Sequence, residues 1–472
     1  MLPSSPFTRT LVFAGVLESS ELLTPTFSIE VAYSTIGGHS PTGIIRGTSA
    51  DFDALEKFFR SKKSALCTAR SISKERETIT CTGVHIKEIR EQRFAKDEKL
   101  TIHQVIGRFT IERLEISKAF NSSSSGKKRR IVFFLTGPSQ LWLSHAMRTI
   151  SYTGEITVEQ MNTELTLDCV PDRITLSPHF VLTEGARLGR TPRETGQAEL
   201  FSLTVDDADG QRDGVAFSTH ATALTDTLCL LMGFLSKAYI SWFASAYSDD
   251  RMLIETYRDV EATESEAPGW EDVILSPNDI RAFLNKAFLA YNERAKRNFD
   301  VRLPILHYIW SQSSRFAEER FTLLFFALEK LLSSLDAESP DPELLSDAEL
   351  REVWKVIHPK LEGMNKTCGQ IDLIRQKRRE LQRAPLKHRL KSHLCALDIS
   401  LEDINGDEGL ASMIGVRNLL THEKGELPIA KVMFETSRLE TVPERTLLKL
   451  LAWTGKDKTP TYRNLQIRDQ PL

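Results

Sequence analysis

The chain is poor in cysteine and has no cysteine pair. Cys67, Cys81, Cys169, Cys229, Cys368 and Cys395 are scattered without a CxxC spacing, which argues against a zinc site or a disulfide framework and suits a reducing, cytoplasmic compartment. A charge excess is missing as well: 61 Lys and Arg stand against 64 Asp and Glu, a formal net charge of −3 over 472 residues. No global field therefore draws the chain to nucleic acid or to an anionic membrane, and any such partner must be held by a local patch. Long apolar runs are also missing. The apolar stretch before Glu18 is too short for the core of a signal peptide, which needs roughly 7–15 residues. The most apolar window, Ala223–Tyr247, is interrupted by Asp226 and Lys237, so it predicts one buried helix and no membrane span.

Several familiar chemistries are excluded by direct search. The sequence has no GxxxxGK[ST] to cradle phosphate, no GxSxG nucleophile turn and no HExxH metal helix. Asp206–Gly214 (DDADGQRDG) lacks the closing glutamate of a calcium loop and reads as a hairpin turn. Asp403, Asn405 and Asp407 have ligand spacing, but Glu408 and Ile414 occupy the positions that such a loop gives to glycine and to its closing carboxylate. No metal and no cofactor are expected.

The residues present divide the chain by periodicity and predict an α+β protein. From Phe7 to about His220, short β-branched and aromatic runs such as FSIEVAY (Phe27–Tyr33), ETITCTGVHI (Glu77–Ile86) and RIVFFL (Arg130–Leu135) alternate with turn residues. They predict a β-rich domain over 1–220, sandwich or barrel-like, with a lone helix at Asp53–Arg60 and a flexible loop at Asn121–Arg130. Beyond Ala221 the period becomes helical. A helical connecting region over 221–300 includes the window Ala223–Tyr247, an acidic linker at Val260–Asp272 and a helix at Ser276–Arg297 with Ser276 as its cap. Residues 301–456 predict an all-α domain, with helices at Ser313–Asp336, Asp347–Met364, Gly369–Arg383, Leu410–Gly425 and near Glu444–Trp453. Residues 457–472 form a tail.

One pairing of residue types carries chemistry. A histidine exchanges a proton near neutral pH and an arginine presents a permanent forked cation to phosphate oxygens, so together they suffice to cleave an RNA phosphodiester whose 2′-hydroxyl is the nucleophile. Arg302/His307, Arg383/His388 and Arg417/His422 all have four residues between them. Proline interrupts the first two, RLPILH and RAPLKH, and marks them as helix boundaries. RNLLTH (Arg417–His422) has no proline, follows the apolar run Leu410–Val416 and carries Asn418 beside its arginine. Five residues on a helix turn the two side chains about 140° apart, so His422 belongs where the helix unwinds toward Gly425. Glu329, within FFALEKLL, is either a solvated edge or a partner that orients Arg417. Between Arg375 and Lys391 lie eight basic residues, Arg375, Lys377, Arg378, Arg379, Arg383, Lys387, Arg389 and Lys391, with the single acid Glu380. That concentration is what a phosphate backbone needs, and also what a solvated helix face looks like.

RNLLTH resembles the Arg-Asn-x-x-x-His form of the HEPN ribonuclease motif, and the apolar helix Phe321–Leu335 roughly ninety residues upstream also looks like HEPN. With the strand-rich N-terminal half, the layout is similar to ApeA-type anti-phage defence proteins, although the N-terminal half matches in architecture only. The resemblance implies a dimerising helical bundle in which two motifs meet in one cleft and cut RNA to leave a cyclic phosphate. It further implies abortive infection with the cell's own RNA as substrate; tRNA is one candidate, a phage-derived trigger is a candidate partner, and the N-terminal half is expected to be a sensor or regulator. A homodimer or higher homo-oligomer without membrane attachment is expected. The alternative is a non-catalytic HEPN dimerisation scaffold joined to a β-rich ligand sensor. A sugar- or peptide-binding β-sandwich enzyme lacks paired carboxylates that could serve it.

Overall fold

The computed structural model describes residues 8–18, 27–34, 40–47, 67–71, 77–97, 100–120, 129–136, 147–150, 156–159, 165–168, 172–182, 197–207, 210, 212–258, 260, 273–338, 346–364, 370, 374, 384–422 and 427–455. The sequence-predicted helix at Asp53–Arg60, most of the loop 121–128 and the helix expected at 369–383 lie outside them, apart from residues 370 and 374. The protein is of mixed α+β class, an N-terminal antiparallel sheet followed by C-terminal helices. Its contacts divide it into two compact units, Met1–Asn285 and Lys286–Leu472.

In the first unit the strands are β1 (Thr8–Glu18), β2 (Phe27–Ser34), β3 (Thr42–Gly47), β4 (Cys67–Ser71), β5 (Glu77–Asp97), β6 (Leu100–Ala119) and β7 (Arg130–Leu135). They continue as β8 (Met147–Ile150), β9 (Ile156–Glu159), β10 (Leu165–Leu167), β11 (Arg173–Leu182), β12 (Gln197–Asp206), β13 (Trp242–Ser248) and β14 (Met252–Arg258). Twelve form one sheet in the order β10-β11-β12-β7-β13-β14-β6-β3-β2-β1-β4-β5, and β8 pairs with β9 separately. A further β5–β6 ladder makes the pairing of β6, β3, β2, β1, β4 and β5 circular. Alternation decides which side chains this ring buries: Phe27, Ile29, Val31 and Tyr33 on β2 pack with Phe109 and Ile111 on β6. On β5 and β6 the buried phase changes at Gly83, where φ is +68°: Ile79 and Cys81 are followed by Val84, and their partners Ile116 and Leu114 by Ile111. Glycine is required there, because a Cβ would collide with Glu112 in a conformation that L-residues rarely adopt. Gly43, opposite Phe109 in the ladder, leaves the space that the Phe109 ring fills.

The expected single helix over Ala223–Tyr247 is corrected. Helix α1 runs Gly214–Ser236, starts where the Asp213 carboxylate accepts the Ala216 N–H at 2.7 Å, and stops at Lys237 in the left-handed region. The chain then turns into β13, which pairs with β7 on one side and β14 on the other. The region 221–300 is therefore part helix and part sheet. Asp206–Gly214, read as a hairpin turn, instead joins the end of β12 to the start of α1. Although α1 has the length and composition of a membrane-crossing helix, Phe217, Leu224, Leu228 and Leu231 on it are buried within the protein.

A 3₁₀ turn (Pro277–Asp279), placed as the Ser276 and Pro277 signals predict, leads into α2 (Ile280–Lys296), and the division between units falls within α2. The second unit continues with α3 (Arg302–Ser313), α4 (Ala317–Glu338), α5 (Asp347–Glu362), α6 (Leu386–Ala396), α7 (Gly406–His422) and α8 (Ile429–Leu450). Pro304 lies in the first turn of α3 and Pro385 caps α6, so both proline-interrupted Arg/His pairs do mark helix starts. The central element is α4, which packs on α3, α6, α7 and α8 through Phe321, Leu324, Phe325, Leu328, Leu331 and Leu332. Helix α8 begins well before the expected position near Glu444. Its buried face mixes Val432, Leu439 and Leu447 with Glu435, Arg438 and Glu444, which hides the apolar stripe in the sequence. Those polar groups are paired: Arg438 Nη1 donates to both Glu435 oxygens at 3.0 Å, Ser412 Oγ donates to Glu435 at 2.6 Å, and the Tyr308 hydroxyl donates to Glu444.

Candidate active site

Two neighbouring helices assemble the site. Apolar residues Leu410, Met413 and Val416 seat α7 in the bundle, which leaves Arg417 at the boundary between the core and solvent. Its Nη2 donates to Glu329 Oε1 on α4 at 3.0 Å, and its Nη1 donates to the neighbouring Asn418 Oδ1 at 3.2 Å. The guanidinium centre lies 5.8 Å from the Phe325 ring centroid. Arg417 and Glu329 side chains are 28% and 32% exposed, so the pair is partly desolvated while one side remains open. A forked cation held by a carboxylate and an amide is fixed in direction.

His422 is the last residue of α7. The unwinding expected toward Gly425 falls outside the described residues. The structure thus brings Arg417, Asn418 and Glu329 together and places the His422 backbone one and a half turns further along the same helix.

The basic run behaves differently from a uniform cationic face. Arg375, Lys377, Arg378, Arg379 and Arg383 lie outside the described residues. Arg389 is committed to Asp336 on α4, which also meets His393 Nε2 at 2.7 Å. That half-buried pair lashes α6 to α4, so Arg389, an RNA-binding candidate by sequence, already has a carboxylate partner. Lys391 donates to Asp407 at 3.0 Å on the surface, and this bond holds the Asp407 carboxyl below its ordinary pKa. Lys387 adds its charge near the same carboxylate.

No family model, characterised protein or solved structure matches the chain.

Sequence reasoning missed a second feature, in the first unit. A cleft of about 1430 Å³ opens between α1 and strands β6, β7, β13 and β14, lined among others by Arg113, Glu115, Thr222, Asp226, Tyr247 and Arg258. Arg258 lies 3.6 Å over the Trp242 ring and donates to the Trp242 carbonyl at 2.5 Å, while Trp242 Nε1 donates to Asp226 at 2.9 Å. Burial lowers the Arg258 pKa, with Asp226 opposing the shift. Burial, followed by the bond to Asp249, pushes the Tyr247 phenol up to about 12. At the strand-to-helix connection beside it, the fully buried Asp172 receives Arg212 Nη1 at 2.8 and 2.9 Å and meets His220 Nε2 at 2.9 Å. These residues come from strands and a helix far apart in sequence, and no local spacing announces them. Among the described residues no group of three His, Cys, Asp or Glu is placed to hold a metal ion.

Proposed function

We propose that the chain is a HEPN-type endoribonuclease of the ApeA-like defence class, acting in the cytoplasm on cellular RNA such as tRNA without a metal. The observation that carries this reading is Arg417 fixed between Glu329 and Asn418 on an open face, with His422 at the end of the same helix. His422 acts as the proton-transfer group and Arg417 stabilises the charge that builds on the phosphorus oxygens. The 2′-hydroxyl loses its proton and its oxygen bonds to phosphorus. The bond from phosphorus to the 5′-oxygen breaks, and that oxygen takes a proton, leaving a 2′,3′-cyclic phosphate and a 5′-hydroxyl. Glu329 and Asn418 are positioning residues that hold the guanidinium. A homodimer through the second unit supplies a second histidine, so base and acid come from two copies of one motif.

In this reading the first unit is the sensor or regulator. The circular strand pairing supports a barrel-like form for it, and the cleft beside α1 is where it takes a phage-derived trigger. The second reading is a non-catalytic dimerisation scaffold with the same sensor; one observation favours it, since the Arg417 charge is already countered by Glu329. Purified protein incubated with total RNA in EDTA separates the two. Cleavage to cyclic-phosphate ends that disappears in His422→Ala supports the enzyme, whereas intact RNA with the wild-type chain supports the scaffold.

A further inference from the structure

On α3 and α4 the bundle leaves two large rings in solvent. Phe326 on α4 is 43% exposed and Trp310 on α3 is 42% exposed, although both helices have ample apolar core to bury. Between them stands His307, whose ring centre is 5.6 Å from that of Trp310 and 6.0 Å from that of Phe326. The three rings form a continuous strip across the α3–α4 pair. Phe326 lies three residues before Glu329, the carboxylate that holds Arg417, so strip and site share one face of α4. Lys330, exposed and one turn beyond Phe326, has no ion pair among the described residues, and its charge is felt at His307. The His307 Nδ1 atom is buried with no hydrogen-bond partner.

We propose that Trp310, His307 and Phe326 form a nucleobase subsite, holding one unpaired base of a single-stranded RNA whose neighbouring phosphate lies at Arg417. This rests on the ribonuclease reading above and deepens it to the substrate class. An aromatic strip bounded by cations is the arrangement that unpaired bases and their linking phosphates require: rings accept the base face, and the ammonium and guanidinium lie where the backbone runs. Double-stranded RNA hides its base faces and gains nothing from it. Burial first, and then Lys330, hold His307 below its usual pKa, so the ring is neutral at physiological pH and stacks without an added charge of its own. A second copy of this chain fits the strip less well, because a stable interface covers about 800 Å² on each partner and two exposed rings with a histidine supply a small part of that.

The test uses the full chain and a single-stranded oligoribonucleotide carrying 2-aminopurine and 2′-O-methyl sugars, which bind but cannot be cut. The wild-type chain should quench the 2-aminopurine emission on binding. Phe326→Ala and Trp310→Ala should each abolish the quench and weaken binding by about 5- to 150-fold, with Phe326→Tyr restoring both. On cleavable RNA the same variants should raise KM and leave kcat at saturation unchanged. Light scattering on the same samples must show an unaltered mass. A quench that survives Phe326→Ala with Trp310→Ala overturns the subsite, and so does loss of the quench together with dissociation of a dimer, which would make the strip an interface between copies. Failure of the ribonuclease reading is visible separately: the wild-type chain quenches the probe yet leaves the cleavable oligonucleotide intact.

Discussion

Arg438 and Arg417 both belong to the helical unit and both hold a glutamate at 3.0 Å, yet their surroundings differ. Arg438 and Glu435 are 7% and 3% exposed, bonded through both carboxylate oxygens and joined by Ser412 from the next helix. The bond from Ser412 to Glu435 ties α7 to α8, so the pair serves the packing of those two helices. Arg417 and Glu329 are about a third exposed, join α7 to α4, and have the ring strip of Trp310, His307 and Phe326 on the adjoining face. An ion pair that helices enclose serves packing. One left at the rim costs less desolvation and is less committed to packing, which is the setting in which a binding or chemical role can be tested.

The comparison breaks first at its interior half. Arg438→Ala leaves Glu435 buried without its cation, and the expected loss is about 3–5 kcal/mol of stability, read by urea or thermal unfolding. A change below about 1 kcal/mol would mean that the interior pair is no more structural than the rim pair. Glu329→Gln is the matching change at the rim. Its carbonyl still accepts from Arg417 but carries no charge, so stability should move by no more than about 1 kcal/mol. Cleavage should fall about tenfold to a hundredfold in kcat with KM little changed, because a neutral acceptor holds the guanidinium less firmly than the charge-assisted bond does.

The smallest effect belongs to His307. Its folded pKa is lowered from 6.5, by burial first and then by Lys330, with Asp300 opposing. The unfolded chain therefore binds more protons at this position just below pH 6.5, so stability rises with pH there and falls as pH drops through the folded value. His307→Gln should flatten that slope in thermal melts taken across the same window. An unchanged slope would place the proton uptake on another group.

How much of this was legible in the sequence depends on where the hydrogen bonds and partners come from. Helices α4, α5 and α7 could be read because local signals suffice: an apolar period of three to four residues in Phe321–Leu335, and for α5 the Ser346/Glu349 capping box that gives it a start. The break inside Ala223–Tyr247 could not. Lys237 carries no turn signature, and the strand that follows exists because β7, more than a hundred residues earlier, offers it a ladder. Helix α8 was clipped to its end because Glu435, Arg438 and Pro443 look like surface or breaker residues until the pairing of Arg438 with Glu435 and of Glu435 with Ser412 on α7 is known. At the site, residue types and spacing singled out Arg417, Asn418 and His422, and left Glu329 between two roles. Contact between α4 and α7 is what puts Glu329 against the guanidinium. The ring strip and the cleft of the first unit were invisible because each is assembled from elements whose sequences look like ordinary core.

The measurement that bears most directly on the Arg417 face is one variant assayed two ways. Arg417→Ala should abolish cleavage of single-stranded RNA in EDTA while its thermal midpoint stays within a few degrees of wild type, since a rim pair contributes about 1 kcal/mol or less. Cleavage that persists undiminished, or that disappears only in proportion to unfolded protein, would contradict a chemical role for this face and leave Arg417 as a helix-to-helix tie like Arg438.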